Sequence, residues 1–461
     1  MVVNLKNEIE SYQYGMYHLL KMIFPYDTIV TNQDTADIEV SFRVDQDSVS
    51  VQFGKCCHTE PIIRDDVMLT LKRALYQVTK AKLPFGVLTG VRPSQTALKF
   101  ETDMIQNLGD VYFVSSKKAA VMQQCAAKVR KVSSRLSPGQ ISLYIHIPFC
   151  PSRCHYCSFT LEYLKPYPLL LDEYLCGLIQ ELTSVLKTIQ SCQLHLYSIY
   201  IGGGTPTVLS PVQLQALLTP LASFIPTVTE FSVEAGRADT ITPDKLKLLK
   251  EFGVSRISIN PQSLHQKTLD AIGRCHTVED FYRAYQWSRE AGFPTVNTDL
   301  IAGLTGEDFS DFKQSLDGIL ALSPEHITVH TLCKKRTSDL TESVDEGTAR
   351  KVNDMLDYAY QSLQPLYEPY YIYRQKNAVS SLENVGFMRN SIACEYNIFM
   401  MEEISTVVAV GAGGVSKLIN FSDKKPFAKF RGDKQPERYL RDLAKHTEEK
   451  CDFLRSHFQY L

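Results

Sequence analysis

The stretch Tyr144-Ile145-His146-Ile147-Pro148-Phe149-Cys150-Pro151-Ser152-Arg153-Cys154-His155-Tyr156-Cys157 decides how the chain is read. Its first half completes an apolar run, 142–147, of the kind that a strand buried on both faces produces. Its second half places three cysteines in the loop that leaves that strand, spaced Cys-x3-Cys-x2-Cys. Five more runs of strand type follow, at 197–202, 230–235, 255–260, 294–301 and 326–331. Helical spacing fills the intervals, at Leu169–Ile189, Pro211–Ala222, Pro243–Phe252, Val278–Ala291 and Asp308–Leu322. Strands and helices alternating at these lengths build right-handed parallel βαβ units. Six units are fewer than the eight that close a full barrel. The expected fold class is therefore α/β, a partial (β/α)6 barrel.

The unusual residues fall where such folds gather their sites, at the carboxyl ends of the strands. The cysteine loop follows the first strand, Gly202-Gly203-Gly204 follows the second, and Glu234 ends the third. Gln262 follows the fourth, and Asp299 lies near the end of the fifth. Three thiolates on one tight loop are one short of the four that a [4Fe–4S] cube usually takes, which leaves one iron open to a small chelating ligand. The residues alone leave two other readings open. A zinc site normally draws on two knuckles of two ligands; no second CxxC is present, although His146 or His155 can supply a fourth ligand. Three structural thiols are the other. The run Gly202-Gly203-Gly204-Thr205-Pro206-Thr207 lets a backbone approach a ligand closely, or is a plain tight turn, and it lacks the Gly-Lys-Ser/Thr ending of a P-loop. Taken singly, Glu234, Gln262, Arg274 and Asp299 read as structural or solvated polar residues. Their common placement makes them candidates.

Outward from this region the texture changes on both sides. Residues 1–135 read as an N-terminal α+β domain, in which Ile38–Val44 and Val49–Phe53 alternate apolar and polar residues and pair as a hairpin. A helix is expected from about Asp65 to Lys82, and the basic run Lys128–Arg135, just ahead of Ser137-Pro138-Gly139, reads as a linker. The barrel is assigned 140–340. Beyond it the alternation is lost, and 341–461 reads as a small, irregular C-terminal domain with Tyr370–Asn377, Glu383–Gly386 and Gly411–Gly414 as its landmarks. A formal net charge of −2 offers no field to draw in nucleic acid or an anionic membrane. No apolar run is long enough to span a bilayer, and the first residues lack an apolar signal core, so a cytoplasmic protein without membrane insertion is expected. In that compartment 12 cysteines are not a disulfide framework; Cys56 and Cys57 are adjacent, and Cys125, Cys176, Cys192, Cys275, Cys333, Cys394 and Cys451 are isolated.

With the cysteine loop followed by the Gly202–Thr207 run, residues 140–340 resemble the HemN-like radical S-adenosylmethionine (SAM) family, which includes the oxygen-independent coproporphyrinogen III oxidases. The segments LTGVRP at Leu88–Pro93, YRQKN at Tyr373–Asn377 and ENVG at Glu383–Gly386 resemble its HemZ branch, to which coproporphyrinogen dehydrogenase activity is ascribed and which carries an extra N-terminal domain. The resemblance implies a radical SAM barrel whose catalytic centre is a [4Fe–4S] cluster held by Cys150, Cys154 and Cys157, with SAM on the open iron. It implies Tyr144, Gly203 and Glu234 as contacts to that SAM, and Tyr156, Gly204, Thr205, Gln262, Arg274 and Asp299 as contacts to a second. The implied reaction is oxidative decarboxylation of coproporphyrinogen III to protoporphyrinogen IX in anaerobic haem biosynthesis. Its implied partners are the porphyrinogen substrate and an electron donor such as flavodoxin or ferredoxin. The established oxidases have a further cysteine two residues after the third cluster ligand; here that position is Phe159, as in the HemW-like haem chaperones. A haem-binding chaperone, or another radical SAM reaction such as methyl transfer to a porphyrin, therefore stands beside the oxidase. A substrate with four carboxylates calls for local cations, and Arg92, Lys334, Lys335, Arg336, Arg374 and Lys376 are the candidates.

Overall fold

The computed structural model describes all residues except 7–8, 34, 158–161, 164–167, 334–345, 376–377, 379–380, 421–425 and 459–461. Near the N-terminus five strands, β1 (Val2–Lys6), β2 (Thr28–Thr31), β3 (Ile38–Val44), β4 (Ser48–Phe53) and β5 (Cys56–Pro61), lie in the order β2-β1-β3-β4-β5. β1 runs parallel to both of its neighbours, and β3, β4 and β5 form an antiparallel meander. The expected hairpin is β3 with β4, Val44 standing opposite Val49. The helix expected at Asp65–Lys82 is shorter, Val67–Val78. The Asp66 carboxylate caps its start by accepting from the Leu69 amide at 2.9 Å, and Lys80 beyond its end has φ +53°. Residues Met1–Ala127, with Ser343–Arg350 and Ile372–Glu383, make up one of two compact units.

In the second unit each predicted apolar run is a strand. The strands are β6 (Gln140–Ile147), the two-residue β7 (Phe149–Cys150) and β8 (Glu162–Tyr163), then β9 (His195–Gly203), β10 (Glu230–Glu234), β11 (Arg256–Ser258), β12 (Thr295–Ala302) and β13 (His326–Thr331). β6, β9, β10, β11, β12 and β13 are neighbours in chain order and all parallel. Helices Pro168–Ser191, Pro211–Leu218, Pro243–Glu251, Val278–Glu290 and Phe309–Leu322 supply the crossovers. Their starts follow from local chemistry: Ser210 with Gln213, Thr277 with Asp280 and Asp308 with Asp311 form reciprocal capping boxes. The helix expected to reach Ala222 stops at Leu218 and continues as a 3-10 turn, Thr219–Leu221.

Two expectations are corrected. Lys128–Arg135 is not an irregular linker: Lys128–Ser133 is the last part of helix Ser116–Ser133, and the boundary between the compact units falls inside that helix, at Ala127 and Lys128. Met122, Cys125, Ala126, Val129 and Val132 are buried at helical spacing while Arg130 and Lys131 face solvent, so the basic residues mark an exposed face rather than a break. The C-terminal third is also more regular than its composition suggests. It supplies β14 (Glu368–Arg374), β15 (Glu383–Met388), β16 (Thr406–Val410), β17 (Val415–Ile419) and β18 (Pro426–Arg431), and these join the same sheet, in the order β14-β15-β13-β12-β11-β10-β9-β6-β16-β17-β18. β16 lies parallel to β6, Val408 opposite Leu143, and adds a seventh parallel strand to the six predicted. The second compact unit comprises Lys128–Glu342, Lys351–Tyr371 and Asn384–Leu461, so the chain divides into two compact units where three domains were expected. No described helix is long and apolar enough to cross a membrane.

Candidate active site at the carboxyl edge of the sheet

β6 ends at Ile147 and the chain turns at once into the cysteine loop. The loop is fastened to the end of β9 by backbone: the Gly204 amide donates to Ile147 O and the Thr205 amide to Phe149 O, both at 2.8 Å. The glycines permit this approach. A Cβ at Gly204 would stand 2.5 Å from Phe149 O, and one at Gly203, where φ is +115°, would stand 2.3 Å from the His146 ring. Gly203 and Gly204 are thus required by packing against the cysteine loop, before any ligand is considered. The far side of the loop is tied to the segment after β11. The His155 amide donates to Ile272 O at 2.9 Å, its ring Nδ1 donates to Ala271 O at 2.9 Å, and Ser152 Oγ donates to Gly273 O at 3.2 Å.

Cys150 is buried and Cys154 and Cys157 are half-buried. Cys150 Sγ lies 3.3 Å from Thr205 Oγ1, and burial pushes its thiol up to about 12. A bound metal, as a strong local cation, would bring that thiol to its thiolate. The donor set argues against a single zinc ion. Tetrahedral Zn–S bonds of about 2.3 Å bring sulfurs to about 3.8 Å of one another. Among the described residues the one trio of potential ligands gathered within 4.8 Å is Asp433, Asp442 and His446, so the three thiols stand further apart than one ion needs. Three spread thiols on one loop fit a cube.

Around the loop the structure assembles the other candidates. Glu234, at the end of β10, accepts from Tyr200 OH at 2.5 Å and from the Gly203 amide at 3.2 Å, and burial raises its pKa. Tyr144 stands opposite Tyr200 across β6 and β9, and both rings stack on Tyr396. Gln262 is held on β12 by backbone, its amide donating to Asp299 O at 3.0 Å and its carbonyl accepting from Ile301 at 3.1 Å. It adopts φ +69°, and its buried Oε1 has no partner among the described residues. For Asp299 burial opposes ionisation, but His330 at 3.5 Å and the Asn297 amide at 2.8 Å more than offset it and hold the pKa below the usual carboxylate range. Arg274, buried, donates to Tyr156 OH at 3.1 Å and to Gly236 O, and its Nε is unpartnered among the described residues. Asn260 Oδ1 is likewise unpartnered. Buried polar groups are normally satisfied. Unused acceptors and a donor gathered at one edge are what a polar ligand would complete, and in that respect the site fits SAM beside a cluster.

One residue here escaped the sequence reading. Arg237, 3% exposed, donates from NH1 to Ser152 Oγ at 3.1 Å and to Cys154 Sγ at 3.6 Å. Nothing in its sequence context, Gly236-Arg237-Ala238-Asp239, announces that contact beyond its position three residues after Glu234. Arg374, by contrast, is withdrawn from the substrate-binding candidates. It is buried over the Phe85 ring and spends its guanidinium on Leu88 O at 2.5 Å and Ser381 O at 2.8 Å. Phe159, Lys334, Lys335, Arg336 and Lys376 lie outside the described residues.

Residues 144–319 match the model of the radical SAM superfamily. The oxygen-independent coproporphyrinogen-III oxidase-like protein HemZ of Bacillus subtilis is 35% identical over 408 residues, 85% of this chain and 81% of that protein. The heme chaperone HemW of the same organism is 39% identical over 194 residues, which is 41% of this chain and 50% of HemW. Among solved structures, coproporphyrinogen III oxidase (HemN) from Escherichia coli aligns over 70% of this chain and 73% of its own, with a TM-score of 0.52 at 21% identity; it has the same fold. The chain belongs to the HemZ-like family within the radical SAM superfamily, whose cofactors are a [4Fe–4S] cluster and SAM.

Proposed function

We propose that this protein converts coproporphyrinogen III to protoporphyrinogen IX by oxidative decarboxylation of two propionates. The observation that carries the reading is the 35% identity to an oxidase-like relative over 85% of the chain, which takes in both flanks of the barrel, whereas HemW of Bacillus subtilis matches 41% of the chain and HemW of Haemophilus influenzae 69% at 25% identity. Cys150, Cys154 and Cys157 hold the cluster, and the bound cluster with SAM supplies hydrogen-atom abstraction at the β-carbon of a propionate. The chain's own work is to bind, orient and exclude water. Glu234, kept in place by Tyr200 and the Gly203 amide, presents a carboxylate to the SAM ammonium, with Tyr144 beside it. Gln262 Oε1 and the ionised Asp299 are acceptors for a second SAM, and Arg274, braced by Tyr156, offers its charge to a carboxylate. Gly204 and Thr205, the latter with its hydroxyl 3.3 Å from Cys150 Sγ, are further contacts in this reading to the second SAM. An electron donor such as flavodoxin or ferredoxin is needed.

A second reading, a haem chaperone of the HemW type, is favoured by Phe159 and by 39% identity to HemW over 194 residues. Anaerobic incubation separates the two. Reconstituted protein with SAM, reductant and coproporphyrinogen III is expected to release CO2 and form protoporphyrinogen IX. Tight stoichiometric haem binding without that turnover would replace the oxidase with the chaperone.

A further inference from the structure

Arg237 is buried against the cysteine loop, as Arg274 is, but its charge is clamped by a carboxylate and reaches a cysteine sulfur. Its Nε and NH2 edge makes a two-pronged pair with Asp239, at 3.0 and 2.9 Å, and this fixes the plane of the guanidinium. The remaining nitrogen, NH1, then points away from Asp239 and into the loop, where it meets Ser152 O at 3.4 Å, Ser152 Oγ at 3.1 Å and Cys154 Sγ at 3.6 Å. Burial works against the charge, but the bond to Asp239 more than compensates and the guanidinium stays ionised. His276 stands behind the clamp with Nδ1 3.8 Å from Asp239. The arrangement is specific to Arg: a lysine has one nitrogen and cannot grip a carboxylate with one edge while reaching a sulfur with the other.

We propose that Arg237 tunes the cluster, donating a hydrogen bond to the Cys154 thiolate and raising the cluster's reduction potential. Reduction adds a negative charge to a group already carrying thiolates. A buried cation at a ligand sulfur stabilises the reduced form more than the oxidised one, and it does so strongly because screening is weak there. A hydrogen bond donated to a ligand sulfur withdraws electron density from the thiolate, and such bonds are among the factors that set cluster potentials. Asp239 offsets part of this field but engages the far edge of the guanidinium, so the positive NH1 edge is the nearer charge to the sulfur. The consequence is functional: SAM cleavage needs a reduced cluster, and Arg237 lets a weaker donor supply the electron. The inference rests on a cluster at the three cysteines and is independent of which substrate is oxidised.

The test is an EPR-monitored redox titration of reconstituted holoprotein in the absence of SAM, on wild type, Arg237→Gln and Arg237→Lys. The wild-type spectrum must be that of a reduced [4Fe–4S] cluster, which checks the premise separately from the inference. With iron and sulfide content unchanged, Arg237→Gln is expected to shift the midpoint potential negative, and Arg237→Lys to shift it less. An unchanged midpoint in Arg237→Gln at full cluster content overturns the proposal. So does loss of the cluster from both variants while the melting temperature of the cluster-free protein is unaltered. Arg237 would then serve only to assemble the loop.

Discussion

At Gln262 the chain accepts two costs in one residue. A non-glycine residue at φ +69° is strained by roughly 1–3 kcal/mol, and an unpartnered buried oxygen costs a further 1–3 kcal/mol, roughly. Neither is repaid within the described fold. Gln262→Gly should therefore leave the SAM-free protein no less stable than wild type, since relief of strain offsets the roughly 0.5–1 kcal/mol entropy cost of glycine, while SAM binding weakens. Thermal melting and anaerobic equilibrium dialysis on the same preparations check both halves; a clear loss of stability with binding unchanged would make Gln262 structural. Arg274 gives a sharper count. Wild type is expected to bind two SAM per cluster and Arg274→Ala close to one, because Arg274 bonds Tyr156 and Gly236 O while Glu234 is held by a different set, Tyr200 and the Gly203 amide. A wild-type stoichiometry of one would remove the second site. The cysteines and Glu234 could be picked out in the sequence because a strand end followed by a short motif leaves little freedom in placing them. Arg237 could not, since its role depends on Asp239 turning one edge of the guanidinium toward a loop 83 residues away in sequence.

Among the elements, β16 is the strand that reading for alternation misses. Thr406–Val410 is apolar and buried throughout, but no crossover helix of the βαβ type announces it, so its pairing with β6 follows only from the folded chain. What fixes it there is polar. Lys450, on helix Leu443–Phe458, pairs with Glu181 on helix Pro168–Ser191 and donates to Ala409 O at 2.7 Å. The other Glu181 oxygen accepts from the Gly411 amide at 2.8 Å and from Tyr439 OH at 2.7 Å. Removing one partner of a buried pair leaves the other charge uncompensated, so Lys450→Met should cost about 3–5 kcal/mol, and Lys450→Met with Glu181→Gln less than that. Urea denaturation of the single and double variants measures it, and equal losses would show that the pair's charge is immaterial. At the start of β13, His326 accepts from Arg256 Nε at 3.1 Å and donates to Ile392 O at 2.5 Å. Burial, reinforced by the Arg256 charge, pushes its pKa down to about 3. The unfolded chain takes up this proton near pH 6.5 and the folded chain does not. Stability is therefore retained above about pH 6.5 and falls by about 1.4 kcal/mol per pH unit below it until the folded value is reached. His326→Asn should flatten that slope between pH 7 and 5; an identical slope in the variant would contradict the assignment.

For the molecule as a whole, one open sheet collects the cysteine loop, the glycine turn, Glu234, Gln262, Asp299 and Arg274 at a single edge, and strands from the last third of the chain extend that sheet on both sides. The order of the six central strands could be read in advance because each βαβ unit constrains the next. The flanking strands carry no such constraint: β15, β17 and β18 pair in the antiparallel sense and β16 pairs with β6, far back in the sequence, so composition alone made them look irregular. Family membership follows from similarity to HemZ along most of the chain, whereas the reaction rests on how that edge treats a porphyrinogen. Coproporphyrinogen III deuterated at the propionate β-carbons tests it most directly. Under anaerobic conditions with SAM and a strong reductant, the deuterium should appear in 5′-deoxyadenosine as CO2 is released and protoporphyrinogen IX accumulates. SAM cleavage that leaves the deuterium in an intact substrate would contradict the oxidase.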